Sequence, residues 1–278
     1  MNIIDILKAI VFGFLEGITE WLPVSSTGHL ILLNELLPLN SSKEFYDLFQ
    51  VVIQLGAILA VVLIFWNKIW PFKTENKHLA IKKDKMDLWF KIIVASIPAA
   101  VIGIPFSDTF DRLFYNHVCV AIALLVFGIL FIVIENWQKG KRPAITSLSQ
   151  ITYKTAIIIG AWQLIAAIFP GTSRSGATIV GALLLGVSRT VAAEFTFFLA
   201  IPAMAGASLL KLLKFGFSYT AMEVIVLLTG TIVSFIVSIF VIRFLMGYIK
   251  KHDFKVFGWY RIILATVVLL TYVIQLVN

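Results

Sequence analysis

Glu16-Gly17-Ile18-Thr19-Glu20-Trp21-Leu22-Pro23-Val24-Ser25-Ser26-Thr27-Gly28-His29 is the stretch on which the reading of this chain turns. Two carboxylates lie inside an apolar run that leads straight into a proline, three hydroxyl residues, a glycine and a histidine. Their i, i+4 spacing puts both on one helical face. A charged side chain at bilayer depth costs about 2.5–3.5 kcal/mol even on the lenient insertion scale, so such a pair marks function by default.

The membrane setting follows from composition. With 60% hydrophobic residues, 14% charged residues and a mean hydropathy of +0.96 over 278 residues, the chain is too apolar for a soluble domain. It reads as an all-α polytopic membrane protein in a single membrane domain, 1–278. The net charge of +8 resides in lysines between apolar segments, where it reports orientation, and no nucleic-acid partner is expected. Cys119 is the one cysteine and has no internal partner; the histidines at 29, 78, 117 and 252 lack zinc-site spacing. No cleavable signal peptide is expected, because the first apolar run has no basic leader and carries the Glu pair.

Six stretches are apolar enough to span: 49 to 66, 91 to 106, 118 to 135, 195 to 213, 221 to 243 and 259 to 277. Pro98, Pro105 and Pro202 should kink two of them. Two more apolar regions, 3 to 38 and 155 to 187, are interrupted at 23 to 29 and 170 to 176, leaving halves too short to cross. Between the spans, 67 to 91 carries seven lysines against three acids. The loops 136 to 154 and 243 to 258 are also basic, while 39 to 48, 107 to 117 and 214 to 220 are not. The basic loops should be cytoplasmic, the 67 to 91 loop as a solvated one. With six spans, that parity holds only if both interrupted regions are re-entrant helix-loop-helix elements.

An inverted repeat is the arrangement this parity describes, with one copy at about 1–135 and the other at about 150–278. A shift of 147 aligns Gly13 with Gly160, Glu16 with Gln163, Ile18 with Ile165, Pro23 with Pro170, Ser25 with Thr172 and Ser26 with Ser173. That is four identities in seventeen positions, strengthened by the shared order of an interrupted hairpin followed by three spans.

The second break, Pro170-Gly171-Thr172-Ser173-Arg174-Ser175-Gly176, is an anion site in composition. Thr172 or Ser173 can cap the following half-helix and leave free N–H groups, while Arg174 adds a planar donor fork and Ser173 and Ser175 add hydroxyls. In the first break Ser25, Ser26 and Thr27 cap a half-helix whose first turn bears His29. Together the breaks hold the parts of a phosphotransfer or hydrolysis site. His29 can deprotonate Ser26 or water; Glu20 can orient His29, take the proton itself or, with Glu16, hold a divalent cation. Taken singly, each feature also has a bland explanation: a kinked helix, an interfacial arginine, a buried histidine. Their convergence in two breaks outweighs these. Glu135, Glu194, Arg189 and Gln54 are assigned structural or interfacial roles.

Residues 16–29 and 170–176 resemble the two signature regions of the bacterial undecaprenyl-diphosphatase family of the bacitracin-resistance type, and the resemblance runs along nearly the whole chain. It implies hydrolysis of undecaprenyl diphosphate to undecaprenyl phosphate and inorganic phosphate, which recycles the lipid carrier for peptidoglycan synthesis. It also implies a bacterial cytoplasmic-membrane location, a site opening to the outer face, and functional residues at Glu16, Glu20, Ser26, His29, Ser173 and Arg174. Ser173-Arg174 is also similar to the membrane acid phosphatases, but no histidine follows Arg174 here, so their nucleophile does not carry over. Ser26 is expected as nucleophile, with His29 or water the alternatives, His29 as general base and acid, and Arg174 as catalytic cation. Ser25, Thr27, Thr172, Ser173, Ser175 and Gly176 are expected around the phosphates. Glu16 and Glu20 orient the pair or bind a metal, with Mg or Ca the cation considered; membrane lipids and a homodimer complete the expected partners. The competing class is a lipid-phosphate transporter or flippase, which needs no nucleophile.

Overall fold

A computed structural model of the chain describes residues 2–75, 78–216 and 218–277, with side chains except at 74–79 and 277; the His78 side chain lies outside the described residues. The described residues form helices α1 (Ile3–Thr19), α2 (Ser26–Leu36), α3 (Lys43–Ile64), α4 (Trp66–Ile69), α5 (Lys83–Pro98), α6 (Ser107–Phe114), α7 (His117–Gln138), α8 (Tyr153–Ile168), α9 (Arg174–Leu184), α10 (Arg189–Phe215), α11 (Ala221–Tyr248) and α12 (Lys255–Val277). A small antiparallel hairpin, β1 (Phe72–Glu75) with β2 (His78–Ile81), pairs Phe72 with Ile81.

All six expected spans are present as helices long and apolar enough to cross a membrane: Lys43–Ile64, Lys83–Gly103, His117–Gln138, Arg189–Phe215, Ala221–Tyr248 and Lys255–Leu276. Only 28–44% of each apolar window is buried inside the protein, so the remainder is available to lipid. Several helices begin earlier than hydropathy suggests, because their first turns are capped by polar side chains: Ser42 accepts from Phe45 N and Asn116 from Cys119 N. The 67 to 91 segment is correspondingly less of a loop than expected. It contains α4 and the hairpin, and Lys83, Lys85 and Lys91 already lie on α5. After Pro98 the fifth helix relaxes into a π-helical turn, Ala99–Gly103, ending with Ile104 N donating to Ala99 O at 3.3 Å.

The two interrupted regions are each a helix, a break and an eleven-residue helix packed against it: α1 with α2, and α8 with α9. Eleven residues extend about 16 Å, half the hydrocarbon thickness. Both short helices start at a serine in a backbone region that side chains seldom occupy, Ser25 at φ 73° and Ser173 at φ 67°, the only positive-φ non-glycine residues among those described. In both, the serine Oγ accepts from the glycine three residues on, Gly28 N at 3.3 Å and Gly176 N at 3.2 Å. The register across the breaks is therefore 148, one residue off the expected 147. Ser25 corresponds to Ser173, and Ser26 to Arg174, so Thr27 is not the counterpart of Arg174.

Helix pairing is related between the two halves. α1 packs on α11 and α8 on α5; α3 packs on α11 and α10 on α5; α2 touches α12 and α9 touches α7; α3 meets α10 and α7 meets α12. Exchanging the two halves converts each pairing into another of the set. The interdigitation depends on glycine: a Cβ at Gly13 would overlap the Gly230 carbonyl of α11, and one at Gly160 would overlap the Ala95 carbonyl of α5. The halves differ in depth. Residues 175–183 of α9 are all buried and form the centre of the main core with Phe195, Phe197 and Phe198 of α10, whereas α2 buries only Gly28, His29 and Leu30. Three of the residues assigned structural or interfacial roles form ion pairs: Arg189 clamps Glu135 with both nitrogen types, and Lys68 reaches Glu194 at 2.6 Å.

Candidate active site

Glu20 is the C-cap residue of α1, one turn after Glu16, and the chain breaks immediately afterwards. Its carboxylate is 7% exposed and bridges the two halves of the molecule. Oε2 accepts from Ser26 Oγ at 2.8 Å, and Oε1 accepts from Arg174 Nη2 at 2.8 Å. Its backbone carbonyl takes a further bond from Ser175 Oγ at 3.2 Å. Ser26 and Arg174 are each the first helical residue after a strained serine cap. Their amides belong to first turns with no intrahelical acceptor, and both helix N-termini are at the site. Arg174 lies 5.9 Å from the Trp21 ring, and its Nη1 has no partner among the described residues. The guanidinium is thus oriented by carboxylate and indole, with one nitrogen free.

The hydroxyls around this pair divide between support and availability. Ser25 and Ser173 cap their helices, and Ser173 Oγ lies 3.1 Å from Ser175 Oγ. Thr178 donates to the Arg174 carbonyl at 2.9 Å and accepts from Thr196 of α10 at 2.8 Å, which pins the first turn of α9 to the core. Thr27 is half-buried without a described side-chain bond, and Thr172 Oγ1 is buried without one. The Gly176 amide is taken by the Ser173 cap.

His29 is placed differently from the expectation that paired it with Ser26. Its Nδ1–H donates to the Ser25 carbonyl at 2.7 Å, which leaves Nε2 to accept from Tyr260 O–H of α12, also at 2.7 Å. The two rings are nearly parallel, 9° apart. Both nitrogens are occupied, and the base in contact with Ser26 is Glu20. Glu16 is fully buried beside Glu20, and among the described residues neither of its oxygens has a hydrogen-bond donor. Glu16 and Glu20 remain the two carboxylates through which a divalent cation, Mg or Ca, would be held; among the described residues no third His, Cys, Asp or Glu joins them.

The whole constellation falls inside one family. The family model described as "Bacitracin resistance protein BacA" matches residues 9–267. This chain belongs to the BacA family. It is 65% identical over 270 residues to the undecaprenyl-diphosphatase of Desulfitobacterium hafniense, covering 97% of each chain. It is 63% identical over 274 residues to undecaprenyl-diphosphatase 1 of Clostridium acetobutylicum, covering 99% of this chain and all of that one. The relative from Acetivibrio thermocellus, named undecaprenyl-diphosphatase as well, is 58% identical over 267 residues.

Three side chains that sequence reasoning passed over complete the site of this BacA-family chain. Arg261 of α12 is fully buried and has no carboxylate partner. Its guanidinium donates to the Pro23 carbonyl in the first break at 3.2 Å, to Gly171 and Thr172 carbonyls in the second at 3.0 and 2.7 Å, and to Leu124 of α7 at 3.5 Å. It is the rivet between the breaks, and an arginine in an apolar stretch was its sequence signal. Tyr260 holds His29. Gln163 of α8 is 3% exposed with neither amide atom partnered, an arrangement that costs about 1–3 kcal/mol in an apolar interior.

Proposed function

We propose that this chain hydrolyses undecaprenyl diphosphate to undecaprenyl phosphate and inorganic phosphate at the junction of the two breaks. The observation that carries the reading is Glu20, shared between a serine hydroxyl and an arginine from opposite halves. Arg174 Nη1 and the free amides of the two helix N-termini bind the terminal phosphate, with Thr27, Ser173 and Ser175 around it. Glu20 takes the Ser26 proton as Oγ bonds to the terminal phosphorus. The bond from that phosphorus to the bridging oxygen breaks, and lipid monophosphate leaves with the electron pair. Glu20 hands that proton to the departing monophosphate, and water then attacks the phosphoserine with Glu20 as base again; as the bond from phosphorus to Oγ breaks, Glu20 returns the proton taken from water to Ser26 Oγ, freeing Ser26 and inorganic phosphate. His29, held by Ser25 and Tyr260, fixes the first turn of α2. Glu16, beside Glu20, is the second carboxylate for a cation that would neutralise phosphate charge.

The printed names of the relatives support the substrate, and they favour hydrolysis over the transporter reading. In the reading proposed here the protein is one membrane unit, with repeats at about 1–135 and about 150–278 inverted in a bacterial cytoplasmic membrane. Both interrupted regions are re-entrant and the site faces outward, returning the lipid carrier to cell-wall synthesis. Purified protein in detergent, where there are no compartments to transport between, should release phosphate from a long-chain prenyl diphosphate. Tight binding without release would reject the hydrolase and leave the transporter.

A further inference from the structure

A cavity of about 550 Å3 runs between α5, α8 and α10 and ends at Arg174 and Gln163. Its mouth carries Asp108, Asp111, Lys211 and Lys214, and between mouth and base the wall is made of small residues such as Ala99, Gly103, Ala167, Ala203 and Gly206. At the base two buried polar groups lack protein partners: the whole amide of Gln163, and Nη1 of Arg174. Neither Glu16 nor Glu20 lines this cavity. Gln163 occupies the place in α8 that Glu16 occupies in α1, so of the two equivalent positions the one that lines the cavity carries a neutral, buried amide and the other a carboxylate. An anion drawn into the cavity meets Arg174 and Gln163 at its base, and the carboxylate behind them, Glu20, is already paired with Arg174 and outside the lining.

We infer that Gln163 binds the second phosphate of the substrate, the one that stays on the lipid, and thereby selects a diphosphate over a monophosphate. The inference rests on the reading of the site as a prenyl-diphosphate hydrolase. Arg174 lines the closed end and is linked through Glu20 to Ser26, so the terminal phosphate is held where the cavity meets the two breaks. The bridging oxygen and the second phosphate therefore follow along the cavity, where the Gln163 amide is the buried donor without a partner. When the bridging bond breaks, the electron pair passes to the bridging oxygen on that second phosphate, and the Gln163 N–H groups stabilise the charge it gains. The small-residue wall beyond admits the first isoprene units. A monophosphate would fill only the terminal position and leave Gln163 facing hydrocarbon.

The test is calorimetric titration of the full chain in detergent with two non-hydrolysable probes, a prenyl methylenediphosphonate and a prenyl monophosphonate. The wild type should prefer the former. Gln163→Met, close in shape but without the amide, should weaken the diphosphonate about 10- to 100-fold, the range of a hydrogen bond to a charged group, and leave the monophosphonate within about threefold. Gln163→Glu should weaken the diphosphonate further through repulsion. Because the amide has no partner in the protein, Gln163→Met should unfold at a temperature no lower than wild type, which separates ligand binding from a structural role. Equal weakening of both probes, or of neither, overturns the inference. A wild type that binds neither probe instead rejects the diphosphate reading of the site itself.

Discussion

At the scale of single residues the site is organised by competition for one carboxylate. Glu20 gives one oxygen to Ser26 and the other to Arg174, so the base of the proposed mechanism is also the anchor that aims the guanidinium. Removing its charge affects both partners. Glu20→Gln should lower phosphate release at least about 100-fold, as loss of a general base does. Tyr260→Phe, which removes only the phenol from His29, should cost less than about tenfold; steady-state phosphate release measures both. A larger loss for Tyr260→Phe than for Glu20→Gln would return the role of base to His29. Glu16, Glu20 and Arg174 were legible because an apolar helix tolerates such groups only for a purpose. Arg261 was not, because it sits third in the stretch 259 to 277, where an arginine resembles a span-end anchor, and because its partners are main-chain carbonyls with no sequence signature. Arg261→Met should unfold well below wild type, since three buried carbonyls lose their donor at about 1–3 kcal/mol each; a thermal melt unchanged from wild type would deny it the rivet's role.

At the scale of elements, what matters is how each half-helix starts. Ser25 and Ser173 adopt the same rare backbone conformation and cap the same glycine, which leaves the next residue, Ser26 or Arg174, at the helix N-terminus and in the site. Composition marked the breaks but not the capping residue, because Ser25, Ser26, Thr172 and Ser173 are all competent caps; only the backbone geometry chooses. Likewise, hydropathy located the spans but not their polar first turns. Close packing of α1 on α11 and of α8 on α5 makes Gly13 and Gly160 equivalent. Gly13→Val and Gly160→Val should destabilise comparably, by at least the roughly 1–3 kcal/mol of an overpacked contact. Thermal melts of the two variants compare them, and tolerance of one but not the other would break the equivalence.

At the scale of the whole molecule, the halves share a plan and divide the chemistry. The first half supplies the hydroxyl and both carboxylates, the second supplies the guanidinium and the neutral amide, and both line the cavity. The repeat left a faint trace in the sequence, whereas the interdigitation of α1 with α11 and of α8 with α5 left none, since glycine contacts between distant segments carry no local pattern. Inversion in the membrane predicts that cysteines introduced at Lys43 and Lys141 label from opposite sides of intact cells; labelling from one side would overturn it. The central claim, that both breaks form one site, is tested most directly by a double-mutant cycle on phosphate release with Glu20→Ala, Arg174→Ala and the double variant. Groups acting as a unit are strongly non-additive, so the double variant should be little slower than the slower single one. Losses that simply multiply would mean that the two residues act independently, and that the two breaks are not one site.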